Sequence, residues 1–148
     1  MTRAELTEKI AASKRKKQLA WKDIAAKMGP GSRIYYTAAL HGQMKLSKPE
    51  AETAGKLLDL DADDVLLLQE IPYRGSLPTS VPTDPLIYRF YELVSVYGTT
   101  WKSLIQEEFG DGIMSAIDFD MKLERQPDQK GDRVRVTMTG KFLPYKQY

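Results

Sequence analysis

Apolar residues over positions 1–70 recur three and four residues apart, which is the spacing of one face of an α-helix. Trp21, Ile24, Ala25 and Met28 show this spacing most clearly. Glycine and proline follow at positions 29–31, so this helix is predicted to stop there. The same spacing recurs before residue 21 and after residue 31. Together these patterns predict five short helices that pack as a bundle.

Several helix starts are marked by side chains that can accept hydrogen bonds from the first turn. Thr2 with Glu5, and Ser47 with Glu50, have the spacing of a capping box. Asp61 is predicted to cap the fifth helix in a similar way. These local signals place the starts of three helices of the bundle.

Proline and glycine interrupt residues 71–83, so this segment is predicted to be a linker without regular structure. Asp84 then supplies a helix cap, and Pro85 fits the first helical position. We expect this helix to end at Gly98, and a further helix to run from residue 99 or 100 to about Phe109.

Beyond the helices the apolar period changes to two, which is typical of a β-strand. A polar turn over residues 126–132 separates this run from a second alternating run that begins at Arg133. The pattern therefore predicts two strands. One face of the first strand is predicted to carry Ile113, Ser115, Ile117, Phe119 and Met121.

The predicted fold class is α+β, with an N-terminal five-helix bundle and a C-terminal half of two helices and two strands. The domains would be residues 1–70, the linker 71–83, and a catalytic and dimerisation domain over 84–148. A two-stranded ribbon is marginally stable alone and leaves open edges. We therefore expect the C-terminal half to intertwine with a second subunit.

The composition excludes several kinds of chemistry. The chain has no cysteine, so disulfides and thiolate nucleophiles are excluded. His41 is the only histidine, which excludes a multi-histidine metal site within one chain. Asp118 and Asp120 share a strand face, but two carboxylates alone make a weak metal site, and we expect none. Residues 1–17 have no apolar signal core, and no apolar run is long enough to span a membrane, so a cytoplasmic protein is expected.

The charge is distributed unevenly along the chain. Residues 1–48 carry eleven Lys or Arg and three Asp or Glu, whereas residues 49–72 carry one Lys and seven acidic residues. A basic module whose helices resemble a helix-turn-helix domain suggests DNA binding, with residues 32–41 as the recognition helix. Such bundles also serve as assembly modules, so a DNA-binding regulator and a structural oligomerisation protein both stay open as alternatives to an enzyme.

Three polar residues in the C-terminal half are candidates for chemistry. Arg89 and Glu92 lie three residues apart on a predicted helix. The simplest interpretation of this spacing is an ion pair on the protein surface, without a role in chemistry. That helix is apolar around most of its circumference, so burial of Arg89 at an interface is the alternative. Ser115 places a hydroxyl on an otherwise apolar strand face. A buried arginine beside a hydroxyl donor would form a receptor for a small planar anion.

The chain resembles the cyanase family, also called cyanate hydratase or cyanate lyase. The resemblance lies in the segment PTDPLIYRFYELVSVYGTTWKSLIQEEFGDGIMSAIDF and in GKFLPY near the end. LLLQEIPYRG, AALHGQ and KLLDLD also match, so the resemblance covers nearly the whole chain. The catalytic arginine, glutamate and serine of the family fall on Arg89, Glu92 and Ser115, with Arg89 and Ser115 also expected to bind substrate.

The resemblance implies decomposition of cyanate to ammonia and carbon dioxide through carbamate, with bicarbonate as co-substrate and without a cofactor or metal. It also implies a homodecamer, built as a pentamer of dimers, with sites between subunits. The helix-turn-helix-like bundle of the family is not known for DNA binding. Neither nucleic acid nor a membrane is therefore expected as a partner.

Overall fold

The computed structural model describes residues Met1–Tyr148, which form two units, Met1–Ser76 and Leu77–Tyr148. The first unit contains five α-helices separated by short turns. Their bounds are α1 Arg3–Lys16, α2 Trp21–Met28, α3 Arg33–Leu40, α4 Lys48–Leu58 and α5 Ala62–Leu67. None of the helices of the chain is long and apolar enough to cross a membrane.

The helix starts of the first unit follow the side chains that the sequence marks. Thr2 forms the predicted capping box with Glu5, and Ser47 forms the one with Glu50. Asp61 accepts a hydrogen bond from the backbone N–H of Asp64, as an N-cap does. These three predictions are confirmed. Such caps can be predicted from the sequence because they depend on residues within one turn of each other.

The first unit has its own apolar core, to which all its helices except α5 contribute fully buried side chains. Tyr36 is buried there, and its hydroxyl accepts a hydrogen bond from Gly31 N and donates one to Glu50 Oε1. The turn between α2 and α3 is thereby tied to α4. The largest buried apolar residues of this core are Leu6, Ile10, Ile24, Tyr36, Leu40, Leu46, Leu58 and Leu68.

The second unit contains one long helix, α6 Pro85–Phe109, followed by the strands β1 Gly112–Gln126 and β2 Arg133–Pro144. Asp84 Oδ1 accepts hydrogen bonds from the first-turn N–H groups, which confirms the predicted cap. The prediction of two helices here was wrong, since α6 passes through Gly98 without a break. Glycine costs only about 1 kcal/mol relative to alanine in a helix interior, and the context of the whole helix can override a cost of that size.

The two strands form an antiparallel hairpin, as the sequence predicts. The pairing is regular from Phe119, opposite Gly140, to Gln126, opposite Arg133. It shifts between Met114 and Phe119, where β1 bulges. The simple alternation predicted for one face of β1 is therefore wrong at this bulge.

Apolar side chains of the second unit are largely uncovered within one chain. Helix α6 has no buried residue, although it is apolar around most of its circumference. In the two strands only Ser115 is buried. The exposed large apolar residues of α6 are Leu86, Ile87, Tyr88, Phe90, Tyr91, Leu93, Val94, Val96, Tyr97, Trp101, Leu104 and Phe109.

Candidate active site

Arg89 and Glu92 lie on the first half of α6, and the helix start fixes their direction. Asp84 and Pro85 begin the helix, so the two side chains emerge one turn apart on the same side. Arg89 Nη1 and Glu92 Oε2 are 3.8 Å apart. The guanidinium of Arg89 also lies over the ring of Tyr88, 5.9 Å from its centroid.

The ion pair of Arg89 and Glu92 is loose and exposed to water in the single chain. A separation of 3.8 Å is longer than a hydrogen bond, and the side chains are 64% and 51% exposed. Two unit charges at this distance interact by only about 1 kcal/mol in water, and by several times more in a partly buried setting. Arg89 is therefore not buried within one chain, contrary to the alternative that its apolar helix suggested.

Ser115 lies at the start of the bulge in β1, and its hydroxyl is held by the backbone. Ser115 Oγ accepts hydrogen bonds from the N–H groups of Ile117 and Asp118, both at 3.0 Å. The residue is 4% exposed, whereas Ile117 is 99% exposed. The prediction that these two residues share an inward face was wrong, because the bulge turns Ile117 outward.

The structure brings Arg89 and Glu92 together but leaves Ser115 separate from them. No hydrogen bond or ion pair joins Ser115 to either residue within one chain. The grouping of all three in one site stays a prediction. The period-two pattern did not indicate the bulge that holds Ser115, although a glycine inside a strand, Gly140, is the kind of signal that marks one.

The remaining candidate groups are accounted for by local structure. His41 is the C-cap residue of α3, and its ring packs edge-on against Trp21 with the centroids 4.8 Å apart. Burial lowers the pKa of His41 below its usual range. The chain contains no group of three or more His, Cys, Asp or Glu side chains placed to share a metal ion.

Comparison with known proteins covers both units. A family model described as "Cyanate hydratase, N-terminal" matches residues 3–72, and one described as "Cyanate lyase C-terminal domain" matches residues 79–147. Proteins named cyanate hydratase from Ralstonia pickettii and Dechloromonas aromatica are each 62% identical to this chain over 148 residues, with 100% of both chains covered.

A solved structure agrees with these sequence matches. The crystal structure of cyanase from T. urticae matches this chain with a TM-score of 0.78 and 36% identity, over 94% of this chain and 96% of that one. The mixed fold of helices and a two-stranded antiparallel sheet is thus shared with a cyanase. The chain belongs to the cyanate hydratase family, also called the cyanate lyase family.

Proposed function

We propose that this protein catalyses the bicarbonate-dependent decomposition of cyanate to ammonia and carbon dioxide. The observation that carries this function is the 62% identity to the cyanate hydratase of Ralstonia pickettii along the whole of both chains. Bicarbonate is the co-substrate, and no cofactor or metal is required, since the carbon of cyanate is already electrophilic. The reaction would take place in the cytoplasm.

The chemistry requires positive potential, because both substrates are anions. Arg89 presents a planar fork of N–H donors that matches the oxygens of bicarbonate and the ends of cyanate. Its charge offsets the repulsion between the two substrates, and it does so more strongly where water is excluded. Glu92, one turn away, holds the guanidinium in place or manages a proton.

The reaction proceeds in three steps. A bicarbonate oxygen attacks the cyanate carbon and gives a dianionic adduct, while the bicarbonate proton moves to nitrogen. The adduct loses carbon dioxide and takes up a proton to give carbamate. Carbamate takes up a further proton and breaks down to ammonia and a second carbon dioxide. Arg89 and Ser115 stabilise the adduct, and holding two anions in contact supplies much of the rate.

The site is proposed to be completed between subunits of a homodecamer, a pentamer of dimers. An apolar helix without a buried residue is typical of one that packs against a partner, and α6 fits that description. A second copy that intertwines through the sheet edges would cover α6 and remove water from Arg89 and Glu92. Such a copy would also supply the contacts between these residues and Ser115 that one chain lacks.

The first unit is proposed to have a helix-turn-helix-like fold without a DNA-binding function. The alternative of a DNA-binding regulator is not supported, since both units match family models of cyanate hydratase. Most of the basic side chains in residues 1–48 are then solvated surface groups, and neither nucleic acid nor a membrane is a partner.

An ammonia assay tests the proposed function. The purified protein is incubated with cyanate, with and without bicarbonate, and ammonia release is followed over time. We expect release that depends on bicarbonate and saturates with both anions. Release at the uncatalysed rate under both conditions, together with a retarded band on DNA, would instead favour the regulator.

A further inference from the structure

The bulge that carries Ser115 lies opposite a glycine on β2. Met114 pairs with Phe142, and Phe119 pairs with Gly140, so residues 115–118 face only Lys141. A Cβ on Gly140 would collide with the backbone oxygen of Ser115 and would lie 2.6 Å from Met114 Cγ. Backbone cannot move aside as a flexible side chain can. Any side chain at position 140 would therefore force the bulge to change shape.

The bulge determines which hydrogen bonds the Ser115 hydroxyl can still form. A hydroxyl has two acceptor lone pairs and one proton to donate. Both acceptor sites of Ser115 are occupied by the N–H groups of Ile117 and Asp118, each at 3.0 Å. The hydroxyl donates to no atom of the chain. Its remaining capacity is one polarised O–H donor.

We propose that Gly140 is a positioning residue that makes Ser115 a hydrogen-bond donor to the substrate anion rather than a nucleophile. The missing side chain at position 140 lets the bulge form, and the bulge saturates the acceptor sites of Ser115. An attacking oxygen needs a free lone pair, and the N–H groups of Ile117 and Asp118 occupy both lone pairs of Ser115. This inference rests on the proposed cyanate chemistry and assigns the role of one group in it.

The near-complete burial of Ser115 limits what can accept its proton. Only an acceptor of a few atoms can approach a residue with this little exposed surface. Cyanate and bicarbonate are of that size and carry negative oxygen or nitrogen. A preset donor aimed at developing charge costs no reorganisation during reaction.

A double-mutant cycle tests whether Gly140 acts through Ser115. Ser115→Ala and Gly140→Ala are each expected to lower kcat by about 100-fold. The double variant is expected to match Ser115→Ala alone, because the hydroxyl that Gly140 positions is already gone. A double variant near 10⁴-fold slower would show independent effects and overturn the proposal. A structural role alone would not produce this non-additivity.

Two controls separate positioning from misfolding. Thr139→Ala changes the exposed neighbour of Gly140 on the same strand and is expected to keep wild-type kcat. If Gly140→Ala does not fold, Ile117→Pro removes one of the two N–H donors without adding bulk opposite Gly140. We expect about a tenfold lower kcat for Ile117→Pro. Wild-type kcat in that variant would contradict the proposed arrangement.

Mass spectrometry separates a donor from a nucleophile in the wild-type protein. The protein is quenched during turnover of cyanate, digested, and searched for a carbamoyl group on Ser115. We expect none, whereas an adduct that forms and decays with turnover would overturn the donor role. Wild-type ammonia release is measured in the same preparation. Its absence would contradict the proposed function itself, while an active enzyme with an additive cycle would contradict only the role of Gly140.

Discussion

Arg89 is exposed in one chain, and its nearest carboxylate, on Glu92, is beyond hydrogen-bond distance. In the proposed assembly its planar fork would bind an anion where a partner subunit excludes water. Arg89→Lys keeps the charge but loses the fork, so we expect kcat to fall about 100-fold or more in the ammonia assay. Arg15→Lys, an exposed arginine on α1, is the matched control and should retain full activity. Comparable losses in both variants would contradict an anion-binding role for Arg89.

The carboxylate of Asp61 makes the free energy of unfolding of the first unit depend on pH. The hydrogen bond from Lys9, followed by the one from Asp64 N–H, lowers the pKa of Asp61 to about 2 from its ordinary value of 3.8. The folded state therefore binds fewer protons than the unfolded state between these values. The stabilisation is fully present above pH 3.8 and is lost as the pH falls towards 2.

Asp61→Asn keeps an acceptor at the helix start but does not titrate. We expect wild type to have the higher free energy of unfolding at neutral pH, and the difference to shrink towards zero near pH 2. Urea unfolding in a Trp101→Phe background measures this, since Trp21 fluorescence then reports on the first unit alone. A difference that stays constant as the pH falls would contradict the link between the charge of Asp61 and stability.

The helices of the first unit are joined by one partly buried guanidinium. Arg3 on α1 donates hydrogen bonds to the carbonyl oxygens of Ala39, Met44 and Leu67, at 2.9–3.1 Å. Burial lowers the pKa of Arg3 below its usual value. Arg3→Met would remove all three of these hydrogen bonds, so we expect a loss of about 3 kcal/mol in the free energy of unfolding.

Chemical denaturation of the Arg3→Met variant, with Arg15→Met as control, measures that loss. Arg15 is exposed on the same helix, so its replacement should cost less than about 0.5 kcal/mol. Equal costs for the two variants would mean that helix composition, rather than the three hydrogen bonds, explains the change.

Helix starts and strand positions could be predicted from the sequence wherever their cause is local. Asp84 caps α6 through bonds to residues two and three positions away, so the signal lies within a few letters. Gly98 does not end the helix as predicted, because the cost of one glycine is a weak signal that the context of the whole helix overrides. The bulge at Ser115 could not be predicted, because it depends on Gly140, which is distant in sequence.

Within the candidate site, the proximity of Arg89 and Glu92 could be predicted from the sequence, but the arrangement of subunits around them could not. Arg89 and Glu92 have the spacing that puts them together on a helix, and the structure confirms their proximity. Their contact with Ser115 stays a prediction. No pattern within one chain encodes which copy of α6 meets which sheet.

The whole molecule consists of one unit with a core and one unit whose apolar residues face outward. We expect sedimentation to show an assembly much larger than the 16.8 kDa chain. Val94→Glu places a charge on the exposed apolar surface of α6, so it should yield smaller species and little ammonia release.

Leu66→Glu is the matched control for Val94→Glu, since Leu66 is an equally exposed apolar residue on α5 of the first unit. We expect it to leave the assembly and the activity unchanged. A monodisperse single chain for the wild-type protein, with full activity, would refute the intersubunit site.

The two units differ in how much apolar surface they bury within one chain, and this difference also bears on the order in which they fold during biosynthesis. A core complete within Met1–Ser76 lets that segment fold as soon as it emerges, at a rate independent of concentration. The hairpin of β1 and β2 has open edges and α6 has no buried residue, so under the proposed assembly the folding of the second unit would wait for an encounter with another chain. We then expect newly made chains to pass through a half-folded state whose lifetime shortens as more copies accumulate. Low expression would prolong that interval, and abundant synthesis of the same chain would shorten it.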